Sequence, residues 1–263
     1  MKVLVTVKEV TTIEDGFEIE GTKISEKYLS TDLNEWDDYA IEEAVQLQEE
    51  GIADEIVTVT IGPEECEETI RKALAKGANR AVRVWDDTLE DTDLLDVSIT
   101  SEILRAVVED EDPDLVLMGV QAADDNFGAT GVFLAKDIGY NWAAVVNHLE
   151  HDFEDGVATV RRELESGVEE YTDIELPAVL TIQTGINEPR YASLRGIRQA
   201  QRKDLNCKDF VDLSINKDSI ESRLSLTEMY EPESESDVVI WEGDAEKTAF
   251  QLSELLREKG VVG

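Results

Sequence analysis

Over the first 140 residues the chain alternates short runs of β-branched apolar residues with stretches whose apolar positions recur every three or four residues. The first pattern fits buried strands and the second amphipathic helices, so the alternation predicts parallel strands joined by crossover helices. Residues 3–7 form the first expected strand. Asn34 stands where it caps a helix with apolar positions Trp36, Ala40, Ile41, Ala44 and Leu47. A second strand at 55–61 runs into Gly62-Pro63, which opens a helix closed by Lys72, Lys76 and Gly77. A third strand at 81–85, a helix at 94–108, a buried strand at 114–119 and a fourth helix ending near Gly139 continue the series.

Beyond Gly139 the period drops to two, at 142–149, 156–164 and 168–176, followed by the apolar run 178–182. These strands are expected to add to the parallel sheet in antiparallel fashion. From Lys217 to Asp244 the chain is polar and acidic, which predicts a linker. Ala245, Ala249, Leu252, Leu255 and Leu256 then stripe a final helix that either folds back on its own domain or clasps another chain. The expected architecture is α/β: a three-layer, Rossmann-like or flavodoxin-like, mostly parallel sheet with an antiparallel extension and a C-terminal helical arm. Its division is an α/β domain over 1–213 and an acidic linker with the arm over 214–263.

At 263 residues and 41% hydrophobic, the chain can bury a substantial core. No apolar run approaches the roughly 18 to 20 residues that span a bilayer, and the first strand is too short for a secretory signal. A soluble, cytoplasmic protein is expected. Charge changes the picture most: 24 basic residues against 61 acidic ones leave a net charge of −37. Such a surface repels nucleic acid and anionic membranes. The acids run through the whole chain, and at molar salt the screening length falls to about 3 Å, so the composition reads as salt adaptation. Cys66 and Cys207 are too few for a disulfide framework or a four-thiolate metal site.

Common catalytic and nucleotide signatures are missing: no G-x-G-x-x-G follows the first strand, and no G-x-x-x-x-G-K-[ST], H-E-x-x-H or G-x-S-x-G occurs. His148 and His151, beside a strand end in an acidic stretch, read as surface histidines, which sets aside a hydrolase triad or a histidine zinc site. The neighbouring carboxylates Asp124 and Asp125 carry little weight as catalysts in a chain with 61 acids. Position is more informative. Ligands of open parallel sheets sit beyond the carboxyl ends of strands, and the segments 6–8, 33–37, 62–66 and 119–131 occupy such ends. Two of them, 62–66 and 128–131, open helices whose free amides suit a phosphate. Ordinary βα turns remain the alternative reading for each loop taken alone. Residues 189–203 contain no acid but hold Arg190, Arg195, Arg198, Arg202 and Lys203, five of the 24 basic residues. They serve either as counter-charge for neighbouring acids or as a contact for an acidic partner or cofactor phosphates, with Leu194 an available apolar anchor.

At these same segments the sequence resembles the beta subunit of electron transfer flavoproteins. The marks are V-L-V-T-V-K at 3–8, A-I-E-E-A-V at 40–45, G-P-E-E-C-E-E-T-I-R-K-A-L-A-K-G-A at 62–78, D-L-V-L-M-G-V-Q-A-A-D-D at 114–125, and L-P-A-V-L-T through N-E-P-R-Y-A-S-L at 176–194. They fall in the family's order over roughly residues 1 to 205, and G-P-x-x-C and N-E-P-R-Y-A are the specific ones. The resemblance implies an electron carrier rather than an enzyme, whose redox chemistry belongs to FAD. It implies a heterodimer in which an alpha subunit holds most of the FAD while this chain supplies one wall and binds AMP. By position the AMP contacts would be Thr6, Asn34, Glu35, Trp36, Asp37, Cys66, Gly119, Val120, Gln121, Ala122, Ala123, Asp124, Asp125, Asn126, Phe127, Gly128, Ala129 and Thr130. Arg162 and Glu163 match a family pair near the subunit interface and flavin. A loop over 185–194, with Asn187, Glu188, Pro189, Arg190, Tyr191 and Leu194, would dock transiently on flavoprotein dehydrogenases, and electrons would pass on to a quinone oxidoreductase. The 1–213 domain would then bind the nucleotide, and the arm would embrace the alpha subunit without membrane insertion. Glu35 stands where the family usually has Pro. Bifurcating relatives, which hold a second FAD in place of AMP, typically read D-G-D-T-A-x-V-G-P where this chain has D-D-N-F-G-A-T-G at 124–131, which favours AMP. A stand-alone adenine-nucleotide module of the universal-stress type is the rival from another class. The extra chain over 140–205 and the terminal helix count against it.

Overall fold

A computed structural model of the chain describes residues 1–90, 92, 94–232 and 238–261. Its centre is a nine-stranded sheet in the order β11-β10-β9-β12-β8-β1-β6-β7-β13. The strands are β1 (Lys2–Thr6), β6 (Glu55–Ile61), β7 (Arg80–Val84), β8 (Leu115–Gly119), β9 (Asn141–Leu149), β10 (Val157–Glu163), β11 (Glu169–Glu175), β12 (Ala178–Ile182) and β13 (Leu205–Lys208). Between β1 and the first helix, β2 (Glu9–Ile13) pairs with β5 (Leu29–Leu33), and the short β3 (Ile19–Glu20) and β4 (Lys23–Ile24) pair with each other.

Helices cover both faces. The core on one side joins Val3 and Val5 to Ala40, Ile41, Ala44 and Leu47 of α1 (Glu35–Glu49), to Ile70, Ala73 and Leu74 of α2 (Glu67–Lys76), and to Ala200 of α5 (Leu194–Ala200). The core on the other joins Leu4, Val57 and Val59 to Ile99, Ile103 and Val107 of α3 (Val97–Glu111) and to Leu134 and Ala135 of α4 (Thr130–Ile138). This is the three-layer α/β architecture expected from the sequence. Burial on both faces explains why β1 and β8 read as unbroken apolar runs, and removing a large core side chain such as Leu4 would cost about 2–5 kcal/mol.

The antiparallel extension is narrower than the period-two pattern suggests. β9 pairs parallel to β12, and β12 pairs parallel to β8, so both belong to the parallel sheet. Only β10 runs against its neighbours β9 and β11. All five residues of β12 are buried, as befits a strand inserted between two others rather than one added at an edge. β13, which the sequence pattern did not separate from the basic segment, closes the other edge against β7.

By compactness the chain divides into Met1–Met229 and Tyr230–Gly263. The first unit runs on past β13 because Lys217 pairs with the buried Asp86 at 2.7 Å, and Ser222 Oγ and Arg223 N both donate to the buried Asp96. The second contains α6 (Ala245–Glu258), capped by Asp244, which accepts from Lys247 N at 2.9 Å. Among the described residues no helix is long and apolar enough to cross a membrane.

Candidate functional site

The carboxyl ends of β1, β6, β7 and β8 open on a cavity of about 720 Å³, within the usual size of small-ligand sites. Thr6, Asn34, Asp37, Gly119, Val120, Gln121, Ala122, Asp124, Asp125, Phe127, Gly128, Ala129 and Thr130 all line it, so the structure brings most of the sequence-selected residues together. Glu35, Trp36, Cys66, Ala123 and Asn126 stand outside the lining. Lys8, at the strand end 6–8 picked out above, lines the cavity as well, whereas sequence reasoning missed the apolar wall of Trp85, Leu89, Leu94 and Leu95, which comes from the loop after β7. That loop also follows a strand's carboxyl end, so the strand-end rule applied to β7 would have found it.

Asp37, in the first turn of α1, organises the floor. Its buried carboxylate accepts Lys8 N at 2.8 Å and Gly119 N at 3.0 Å, joining the ends of β1 and β8 to α1. Burial pushes its carboxyl up to about 7, against the opposing pull of those N–H donors. Gly119 is required by the closeness of this junction: a Cβ there would lie 2.5 Å from Asp37 Oδ1 and 2.7 Å from Trp36 Cβ. Asn34 occupies the N-cap position of α1 without making the expected side-chain cap. Its amide instead donates to Gln121 O at 2.9 Å and accepts from Ala123 N at 3.3 Å, fastening the 120–129 loop, which uses the side chain that the helix leaves free.

That loop ends at α4 with no side chain capping the helix. The first amides of α4 therefore lack intrahelical partners at the cavity wall formed by Gly128, Ala129 and Thr130, an arrangement suited to an anion. Gly131 lets α4 approach β12, since a Cβ there would meet Thr181 Cγ2 at 2.4 Å. One cation faces the cavity from β1's end: Lys8 Nζ, held by Asp124 at 2.6 Å and Asp125 at 2.7 Å. Burial alone would lower the pKa of this ammonium, but hydrogen bonds to the two carboxylates outweigh it and the net shift is upward. Asp124 and Asp125 are thus the counter-ions of Lys8, and among the described residues no group of His, Cys, Asp and Glu is arranged to hold a metal.

Cys66 is buried, its Sγ 3.5 Å from Glu9 Oε1, and burial with that carboxylate pushes its thiol up to about 12. The Gly of G-P-x-x-C makes room for it: a Cβ on Gly62 would lie 2.5 Å from the sulfur. A second concavity, of about 440 Å³, is lined by Val145, Asn147, Glu163, Leu164, Gln183 and Thr184. Val145 has φ +63°, a strained conformation for a β-branched residue, at the bulge in β9. Trp36 Nε1 donates to Gln183 Oε1 at 3.0 Å, so Trp36 serves this second hollow. Glu163 faces into it, while the neighbouring Arg162 pairs with Glu170 at 3.0 Å.

The basic segment splits between the two readings open at the sequence level. Arg190 is drawn onto Glu42 and Glu49, and Lys203 Nζ donates to Leu74 O and Ala78 O at the end of α2. Arg195, Arg198 and Arg202 are exposed, as are Tyr191 and Leu194. His148 is exposed as expected. His151 is not a plain surface residue: its ring lies 2.9 Å from Glu43 and 3.0 Å from Glu50, two carboxylates that only the fold brings together around it.

A family model described as the electron transfer flavoprotein domain matches residues 22–211. The chain belongs to the electron transfer flavoprotein family. It is 41% identical to the electron transfer flavoprotein subunit beta of Methylophilus methylotrophus over 98% of both chains. It is 34% identical to the subunit beta of Bradyrhizobium diazoefficiens over the whole of both. With the mitochondrial subunit beta of Arabidopsis thaliana it shares 33% identity over 88% of this chain and 90% of the relative. Within this electron transfer flavoprotein fold, the cavity beyond β1, β6 and β8 and the hollow beside Glu163 are separate, and Trp36 and Asp37, adjacent on α1, each brace one of them.

Proposed function

We propose that this chain is the beta half of a heterodimeric electron transfer flavoprotein that carries electrons from flavoprotein dehydrogenases toward a quinone oxidoreductase. The observation that carries the reading is the uncapped start of α4 at the wall of a cavity built from the selected strand ends, in a chain that belongs to this family. The residues fit an adenine mononucleotide. The amides at Gly128, Ala129 and Thr130 would take the phosphate, with Lys8 the cation within the same cavity. The apolar wall of Leu89, Leu94 and Leu95 would cover the base. The hollow at Glu163, Gln183 and Val145, beside Arg162, would form this chain's wall of the flavin site, most of the FAD being held by an alpha subunit. Bound FAD supplies the electron chemistry. This chain's residues orient it and exclude water, and none need act as acid or base. The arm over 214–263 would contact the alpha subunit, and residues 187–194 would dock on dehydrogenases, with exposed Tyr191 and Leu194 as apolar contacts and Arg195 and Arg198 beside them. The net charge of −37 supports a cytoplasmic protein adapted to high salt.

The test is to purify the chain with its partner at high salt, denature the complex and quantify nucleotides by chromatography. One FAD and one AMP per heterodimer is the expected result. Two FAD and no AMP would replace it with the bifurcating reading, and a partnerless chain holding only AMP or ATP would overturn both.

A further inference from the structure

Residues 187–194 carry Tyr191, 98% exposed, and Leu194, 76% exposed, on a stretch that has no strand partner. A loop of this kind ordinarily loses conformational freedom on docking, and that loss weakens binding. Here its base is gripped before any partner arrives. Arg190 donates from Nε to Glu42 Oε2 at 2.8 Å and from Nη2 to Glu42 Oε1 at 3.0 Å, and it reaches Glu49 through Nη1 at 2.6 Å and Nη2 at 2.9 Å. Its backbone N–H also donates to Glu42, and its carbonyl accepts from Lys76 Nζ at 2.9 Å. Asn187 donates to Glu43 Oε2 at 2.8 Å and to Tyr39 O at 3.1 Å. The other oxygen of Glu43 meets His151, so the charge of this buried carboxylate is compensated from outside the loop. At the far end Gly196 packs α5 against Ala75 O of α2. Two adjacent buried acids on α1 thus serve the exposed segment and line neither of the two hollows described above. Burying carboxylates is unfavourable unless they are paired: Glu42 finds its cation in the loop's Arg190, while Glu43, charge-compensated by His151, turns its other oxygen to the loop's Asn187.

We propose that Glu42 and Glu43, with Glu49 and His151, are positioning residues that pre-set the 187–194 segment, so that a redox partner meets Leu194 in its docking geometry. The inference rests on the docking role proposed for this segment. Trypsin cleavage after Arg190 reads the brace directly, because the protease must take the guanidinium away from both carboxylates. In the intact complex, Glu42→Gln is expected to raise that cleavage rate about tenfold relative to a free peptide of the same sequence. It is also expected to raise the dehydrogenase concentration at half-maximal reduction by a similar factor, with FAD content and maximal rate unchanged. Glu49→Gln, on the surface and safe for folding, moves both readouts in the same direction by a smaller factor. In a Leu194→Ala background, Glu42→Gln should shift half-saturation no further, since it acts through Leu194. Unchanged cleavage in both variants, or shifts that simply add to that of Leu194→Ala, would overturn the brace. If Leu194→Ala alone leaves half-saturation unchanged, the docking reading fails, and the trypsin result separates that failure from the brace's own.

Discussion

His151 gives the fold a measurable dependence on pH. Its imidazole is clasped by Glu43 and Glu50, and hydrogen bonding to Glu43, against the effect of burial, raises its pKa from 6.5 to about 9. Between those values the folded chain keeps a proton that the unfolded chain has lost. Stability is therefore fully present below 6.5 and falls as pH rises through 9, with a limiting slope of about 1.4 kcal/mol per pH unit. Asp37 shifts stability in the same direction at lower pH, since its carboxyl is raised from 3.8 to about 7, and Cys66 does so at higher pH, its thiol being raised from 9.0 to about 12, so the histidine dominates the interval from pH 7 to 9. Over that interval the ideal loss, integrated between the two pKa values, is about 2.2 kcal/mol. Glu50 is half-exposed and high salt screens it, which brings the expected loss to about 1–2 kcal/mol. The assay is urea unfolding of the complex at fixed protein and salt concentration, at several pH values. His151→Gln should be less stable than the parent at pH 7, converge with it near pH 9 and lose the slope. His148→Gln, altering the exposed histidine, should retain it. A slope unchanged by His151→Gln would refute the argument.

Gly119→Ala should destabilise the chain by about 1–3 kcal/mol and reduce co-purifying nucleotide, because its Cβ would fall 2.9 Å from Asp37 N as well as against that residue's carboxylate; normal nucleotide content would separate the Asp37 junction from binding. Leu194→Ala should slow reduction by the dehydrogenase while FAD content holds, and unchanged kinetics at low dehydrogenase concentration would count against docking there. Dilution from molar salt to about 0.1 M should lower the thermal midpoint as the −37 charge loses its screening, whereas a flat or rising midpoint would refute salt adaptation.

Much of this was legible because the deciding patterns are local. Val3, Leu4 and Val5 form an apolar run because both sheet faces are covered, and the loops beyond β1, β6 and β8 are sequence neighbours of strands that periodicity identifies. Strand direction was not local. Nothing within residues 178–182 states that they insert between β8 and β9, and an apolar run reads alike in either orientation. Caps were only half legible for a similar reason: Asn34 has the right type and place, but Gln121, 87 residues away, takes its side chain. The polar stretch after Lys217 looked like linker because its anchors, Asp86 and Asp96, lie in another part of the sequence.

The acids show the limit most clearly. In a chain with 61 of them, composition accounts for carboxylates as a solvating shell, and that account hides the few that hold the molecule together. Asp37, Glu42, Glu43, Asp86, Asp96 and Glu111 are buried, and each meets backbone amides or cations from distant segments. Solvating acids gain their effect from number and are interchangeable, while each buried one depends on a particular partner. High salt screens the first kind strongly and the second weakly. Salt titration should therefore leave the Asp37 junction and the Arg190 brace intact over a range in which the surface as a whole changes its contribution to stability.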